Sequence, residues 1–117
     1  MKKVLSVLCL SIMFFVVQAI AKDYIIPSAV KTSSAAIIST AGYIHGISVT
    51  TDGTNAVTVN LYDNTAGSGT KIFPTWTVAA TPTSQAYSFY PPVRVTNGLY
   101  ASLATSGTVS YVVYYSF

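Results

Sequence analysis

Charged residues, histidine and cysteine are all scarce in this chain. Only 8% of the residues are charged: six are basic, three are aspartate and none is glutamate. The single cysteine, Cys9, excludes a disulfide framework within one chain. His45 is the only histidine, so the ligand set of a typical zinc site is also missing.

The same scarcity argues against catalysis. Acid–base and nucleophilic mechanisms need several titratable groups, and a Ser-His-Asp triad would have to place His45 between a serine and one aspartate. No Gly-x-Ser-x-Gly motif accompanies the many serines. We therefore predict that the protein is not an enzyme and has no catalytic residues, cofactor or metal. We expect His45 to pack on a strand face shared with Ile47 and Val49.

The N-terminus has the three parts of a secretory signal peptide. Lys2 and Lys3 precede a mostly apolar run from Val4 to Val17, and Ala19-Ile20-Ala21 is an A-x-A cleavage pattern. We predict cleavage after Ala21 and export to the periplasm, the extracellular space or a virion surface. A retained membrane anchor is the alternative, although the run is short for a membrane span.

The predicted mature chain is one small domain, residues 34–117, preceded by an N-terminal arm, residues 22–33. Pro27 makes a central strand improbable in the arm, which either docks on a neighbour or frays. Cleavage removes two lysines, so the remaining charge gives no argument for nucleic acid as a partner. A domain this small without a disulfide is marginally stable, which favours homo-oligomerisation.

The fold prediction rests on period-two alternation. The stretch from Ala56 to Phe73 predicts a hairpin: a strand from Ala56 to Tyr62, a polar loop and a return strand from Thr70 to Phe73. Turn signals recur about every eight to twelve residues. The fold class is therefore all-β: a single antiparallel β-sandwich of about seven to nine strands. The other predicted strands are 34–40, 43–51, 75–78, 85–90, 93–95, 99–104 and 108–117.

The predicted core consists of the apolar residues that alternate along these strands. They are Ile47, Val49, Val57, Val59, Leu61, Ile72, Trp76, Phe89, Val95, Leu99, Leu103, Val109 and Val113.

Aromatic residues concentrate in the last third of the chain, and both faces of the last strand are apolar. Core and cross-strand packing explains part of this pattern. Because a sandwich strand with one face in solvent should alternate with polar residues, something is expected to cover the second face. The candidate is a neighbouring chain, or else the arm folded back. The predicted interface residues are Tyr111, Val112, Tyr114, Tyr115 and Phe117.

The sequence also offers two candidate ligand sites. Trp76 stands between Thr75 and Thr77 and could act as a sugar-stacking platform in a glycan-binding module. Asp52, Asn55, Asp63 and Asn64 lie in neighbouring loops and could offer oxygen ligands to calcium, although these residue types are also ordinary turn formers.

The C-terminal strand resembles the last strand of bacterial outer-membrane β-barrels. Val109, Tyr111, Val113, Tyr115 and Phe117 alternate, and the chain ends on phenylalanine. The resemblance covers about nine residues and implies a membrane protein. Because the mature chain is short for a complete eight-stranded barrel, this alternative requires a barrel shared between several chains.

A longer resemblance covers about half of the mature chain. It is carried by Leu61-Tyr62-Asp63, by Gly67-Ser68-Gly69-Thr70, and by the stretches Val93 to Leu103 and Gly107 to Tyr115. This order is similar to small β-sandwich proteins of tailed-phage particles. The resemblance implies a jelly-roll-like fold and a non-enzymatic, multimeric surface or decoration protein of the virion type, whose partners are copies of itself or other virion proteins.

Overall fold

The computed structural model describes residues 24–117, which form two packed β-sheets. The predicted signal peptide and its cleavage site lie outside the described residues. No helix between Tyr24 and Phe117 is long and apolar enough to cross a membrane. The strands are β1 (Ile26–Pro27), β2 (Ala35–Ile38), β3 (Gly42–Thr51), β4 (Val57–Tyr62), β5 (Trp76–Val78), β6 (Ser84–Val95), β7 (Leu99–Ala104) and β8 (Val109–Ser116).

The strand order is that of a jelly roll. One sheet has the order β1-β8-β3-β6 and the other has the order β2-β7-β4-β5. Every pairing is antiparallel. The chain crosses between the sheets at most connections, so each sheet interleaves strands from both halves of the sequence. The predicted all-β, antiparallel sandwich is therefore confirmed.

The core lies between the sheets and follows the predicted alternation. On β4, Val57, Val59 and Leu61 are fully buried, while the residues between them are half-buried on the outer face. Full burial of each such side chain contributes about 1.5–3 kcal/mol. All thirteen predicted core residues are buried or pack against the buried cluster. That cluster also includes five residues absent from the prediction: Ile38, Ile44, Val78, Ala101 and Tyr111.

The predicted face of β3 is wrong at its N-terminal half. Between Ile44 and Gly46 the register shifts with both neighbouring strands. Opposite β8, β3 carries one extra residue, His45, in a β-bulge, whereas opposite β6 the extra residues lie on β6, between Ser88 and Val93. The extra residue turns Ile44 into the core and leaves Tyr43 exposed. His45 therefore does not share a continuous face with Ile47.

The return strand of the central hairpin is also shifted. Thr70 to Phe73 forms no strand, and its only ladder contact is a bridge between Tyr62 and Lys71. The partner of β4 is instead β5, in which Trp76 pairs with Val59. The two strands predicted at 85–90 and 93–95 are one strand, β6, with a register irregularity between Ser88 and Val93, a stretch that contains Pro91-Pro92.

The N-terminal arm extends a sheet of its own chain. Ile26 pairs with Tyr115 and Pro27 with Tyr114, and a further bridge joins Lys31 to Tyr111. Ser28 adds two bonds to Val113, one from its backbone N–H and one to its hydroxyl. The arm thus lies beside β8, at the edge position that Pro27 requires. From Tyr24 onward, the arm does not fold back over the outer face of β8.

Candidate functional site

The five predicted interface residues of β8 and its end occupy different environments. Tyr111 is only 2% exposed and belongs to the core, where its hydroxyl donates a hydrogen bond to the Ser33 carbonyl. Tyr115 packs against the core and contacts Phe117, with ring centroids 5.6 Å apart. Tyr114 is 38% exposed and Phe117 63% exposed, while Val112 is half-buried. The accessible candidates are therefore Val112, Tyr114 and Phe117.

Tyr114 lies on an outer sheet face built from small, uncharged side chains. The register of β6, β3 and β8 places Ser88, Gly46 and Tyr114 in one row. Next to Tyr114 is a recess of about 210 Å³, bordered on one side by Ile25. We call this surface the Tyr114 face. Its other rows are Ala86, Ser48 and Val112, followed by Ser84, Thr50 and Ser110.

Gly46 accounts for the recess. A Cβ at this position would lie 2.8 Å from the Tyr87 carbonyl oxygen, which is too close for any other residue without a backbone shift. The strand therefore carries no side chain where the recess opens. An aromatic or apolar side chain of a partner could enter there against Tyr114.

Trp76 is part of an aromatic cluster at the open side of the sandwich. Its ring meets that of Tyr87 edge-on at 5.7 Å, and Phe73 lies 5.5 Å from Tyr87 and 5.2 Å from Phe89. We call Phe73, Trp76, Tyr87 and Phe89 the aromatic cluster. Trp76 comes from one sheet and Tyr87 and Phe89 from the other, and Phe73, Trp76 and Phe89 pack against the core. The cluster therefore closes the gap between β5 and β6. Trp76 is half-buried in it and does not offer an open stacking face.

The four calcium candidates do not come together. Asp52 and Asn55 lie in the loop before β4, whereas Asp63 and Asn64 lie after it, about 20 Å away along a six-residue strand. Within residues 24–117 there is no group of three or more histidine, cysteine or acidic side chains close enough to share a metal.

Asp52 organises its own loop. Its carboxylate accepts bonds from the Asn55 side chain and from the backbone N–H groups of Thr54, Asn55 and Thr108. The side-chain bond from Asn55, followed by the backbone bonds, holds the pKa of Asp52 well below its ordinary value of 3.8. The carboxylate thus stabilises a turn.

Asp63 has the same kind of role at the opposite end of β4. Partial burial alone would raise its pKa, but hydrogen bonds from the backbone of Asn97 and from Thr96 outweigh that effect and lower it. These bonds are 2.8–3.2 Å long.

His45 does meet a serine. Its Nε2 lies 2.8 Å from the Ser116 hydroxyl, across the bulge of β3. Ser116 is only 7% exposed, and Asp52 and Asp63 make their hydrogen bonds elsewhere. The pair lacks an orienting carboxylate among residues 24–117 and does not present its hydroxyl to a substrate. The contact with His45 gives the buried hydroxyl of Ser116, at the end of β8, a hydrogen-bond partner.

A groove of about 590 Å³ runs between the end of the arm and β7–β8. Hydroxyl and small apolar side chains line it, including Thr32, Ser34, Thr105 and Thr108. It contains no titratable or aromatic side chain, so it offers neither catalytic groups nor a stacking surface for a sugar ring.

The free side of β6 is a feature that the sequence prediction missed. Within the part of the chain that the structure describes, β6 pairs only with β3, and it carries Tyr90, which is 98% exposed. The available signal was Pro91-Pro92 directly after an apolar run, because proline within a strand is confined to sheet edges and bulges.

Comparisons with known proteins identify no relative of this chain. No family model matches the chain, and no curated protein or solved structure shows significant similarity to it.

Proposed function

We propose that this protein is an exported, non-enzymatic structural or surface protein that works through contacts between copies of itself, as decoration-type virion proteins do. The observation that carries the proposal is the Tyr114 face. It combines an accessible tyrosine, an apolar recess and rows of small side chains, and it has no charge to keep a second molecule away.

The fold and composition support the same proposal. Jelly-roll sandwiches serve in viral capsids and lectins, although the architecture alone does not fix a function. Large aromatic side chains remain exposed at Tyr90, Tyr114 and Phe117, whereas only 8% of the whole chain is charged. Low charge gives little electrostatic protection against association.

The test begins with protein expressed from the full sequence and recovered after export. Intact mass is expected to place the N-terminus at Lys22 if the signal peptide is removed. Sedimentation velocity over a wide concentration range is expected to show an oligomer in the absence of detergent. An oligomer that forms only in detergent would favour the shared outer-membrane barrel.

A matched pair of variants locates the contact. Tyr114→Ser should raise the dissociation constant at least about tenfold, because it removes an interface aromatic. Tyr43→Ser changes a tyrosine of similar exposure that pairs with Ser116 outside the recess, and it should have a smaller effect. A wild-type protein that stays monomeric at high concentration would overturn the proposal.

A further inference from the structure

The sandwich has four edge strands, and one of them differs from the rest. β1, β2 and β5 are two, four and three residues long, whereas β6 has twelve residues. Native proteins usually keep edge strands short or charged, because unpaired backbone groups recruit other strands. Between Tyr24 and Phe117, no segment pairs with the free side of β6.

The ladder pattern shows which backbone groups of β6 point outward. The N–H of Thr51 donates to the carbonyl of Thr83 at 2.7 Å, so these two residues form a hydrogen-bonded pair. In an antiparallel ladder such pairs alternate with non-bonded ones. The next pair, Thr50 with Ser84, is therefore non-bonded. Its hydroxyl oxygens, 3.2 Å apart, fit the closer side-chain spacing of that position.

The alternation continues along the register. Ala86, opposite Ser48, and Ser88, opposite Gly46, occupy the same kind of position as Ser84. Because the N–H and C=O of one residue point to the same side of a strand, all three residues direct both groups to the free edge. This gives a row of three donors and three acceptors with no partner among the described residues.

The chemistry of this edge suits a second copy of the same chain. Ser84 to Phe89 contains no charged residue, proline or glycine, and the side chains that it presents on the outer face are only serine and alanine. Two copies therefore meet without like charges or steric obstruction. Pro91 and Pro92 lack N–H groups and limit the pairing segment to the residues before them.

We propose that a second copy of this chain adds antiparallel to the free edge of β6, with Ala86 opposite Ala86 of the partner subunit. Ser84 then pairs with Ser88 of the partner subunit, and the reverse pair is equivalent by symmetry. All three pairs are hydrogen-bonded positions, which gives about six backbone hydrogen bonds. The proposal rests on the self-association proposed above and names its contact.

Side chains on the inner face add to the contact. Tyr87, which is 43% exposed, lies opposite Gln85 of the partner subunit in this register. The pairing therefore covers the open side of the aromatic cluster. A pair of such short strands buries less than the roughly 800 Å² per partner of a standard interface, so we expect a reversible dimer. Ala86 and Ser88 also border the recess beside Tyr114, which makes the two surfaces continuous.

Cysteine cross-linking tests the register directly. Paired Cα atoms at a hydrogen-bonded position lie about 5.5 Å apart, within the range a disulfide can bridge. The variant Ala86→Cys should form a covalent dimer under mild oxidation. Ala36→Cys is the control, because it makes the same substitution at an exposed alanine of β2, in the other sheet. The wild-type protein is a second control, because any disulfide that it forms must involve Cys9. Equal cross-linking of all three proteins would overturn the proposed register.

A proline variant tests the backbone pairing. Ala86→Pro removes an N–H that has no partner among residues 24–117, so the fold is expected to persist with an unchanged circular dichroism spectrum. Its dissociation constant should rise at least about tenfold. If wild-type protein is monomeric, both proposals fail. If Ala86→Pro still associates while Tyr114→Ser does not, self-association stands and the β6 contact is wrong. The cross-link decides the case if the proline variant does not fold.

Discussion

The carboxylate of Asp63 accepts the backbone N–H of Asn97 at 2.8 Å. Asp63 follows β4 in one sheet, and Asn97 lies in the turn that leads out of β6 in the other sheet. A second N–H, that of Thr96, reaches the same carboxylate oxygen at 3.0 Å. One side chain thus fixes the position of one sheet against the other at this end of the sandwich.

Replacing this carboxylate should weaken the fold. Asp63→Ala removes the acceptor of two N–H groups. We expect the free energy of unfolding to fall by about 1 kcal/mol, which is small for hydrogen bonds to a charged group because the site is accessible to water. Asp63→Asn keeps one acceptor oxygen and should therefore lose less stability than Asp63→Ala. Urea denaturation measures both variants. Equal stability of Asp63→Ala and wild type would show that the bonds are replaced by water at no net cost.

Acid should destabilise the protein through its two turn aspartates. The pKa values of Asp52 and Asp63 are lowered in the fold, so their contribution is complete above the unfolded value of 3.8 and is lost as pH falls through the lower folded values. The double variant Asp52→Asn, Asp63→Asn should therefore depend less on pH below about 4. Urea midpoints above and below that pH provide the measurement, and parallel curves for both proteins would contradict it.

Tyr111 should show the opposite dependence in alkali. Burial, together with a smaller effect of Tyr100, raises its pKa to about 12 from 10.0. Its contribution is present below pH 10 and is lost as pH rises through 12. Tyr111→Phe removes this dependence and the bond to Ser33, at a cost of about 1 kcal/mol near neutral pH. Thermal melts of both proteins at neutral and alkaline pH test this prediction. If both proteins lose the same stability in alkali, the loss is due to groups other than Tyr111.

Gly98 should not tolerate a side chain. Its φ is +130°, and a Cβ would lie 2.6 Å from the Ile38 backbone carbonyl oxygen. Gly98→Ala should therefore cost about 2–3 kcal/mol through strain and a backbone shift. Gly67→Ala is a suitable control, because its closest contact is the movable ring of Tyr100 at 3.1 Å. Comparable losses in urea denaturation would mean that the turn at Gly98 relaxes easily.

The sequence predicts those parts of the fold in which one strand alternates in a single register. Val57, Val59 and Leu61 are such a case, because burial of one face leaves no other arrangement. The bulge at His45 escapes this reasoning, since it depends on pairing with strands about 45 and 70 residues away. The sequence around it alternates equally well with or without the extra residue.

The candidate site is harder to predict for the same reason. Tyr111 and Tyr114 both belong to an aromatic C-terminal strand, but one lies in the core and the other on an outer face. Which face is covered depends on the second sheet and on the arm, and neither is local in sequence. The free edge of β6 follows from strand order alone, which a linear pattern of apolar residues does not encode.

Trp76 should behave as a packing residue. Its ring contacts Tyr87 and packs against the core, so Trp76→Ala should cost about 2 kcal/mol, less than for a fully buried tryptophan. Trp76→Phe keeps an aromatic ring in the cluster and should lose less than half of that. A glycan array with folded wild type and Trp76→Phe separates the two roles, because a sugar-stacking tryptophan would show wild-type binding that the phenylalanine variant weakens. We expect no binding that depends on Trp76, and a specific glycan signal that is lost in Trp76→Phe would identify the protein as a glycan-binding module instead.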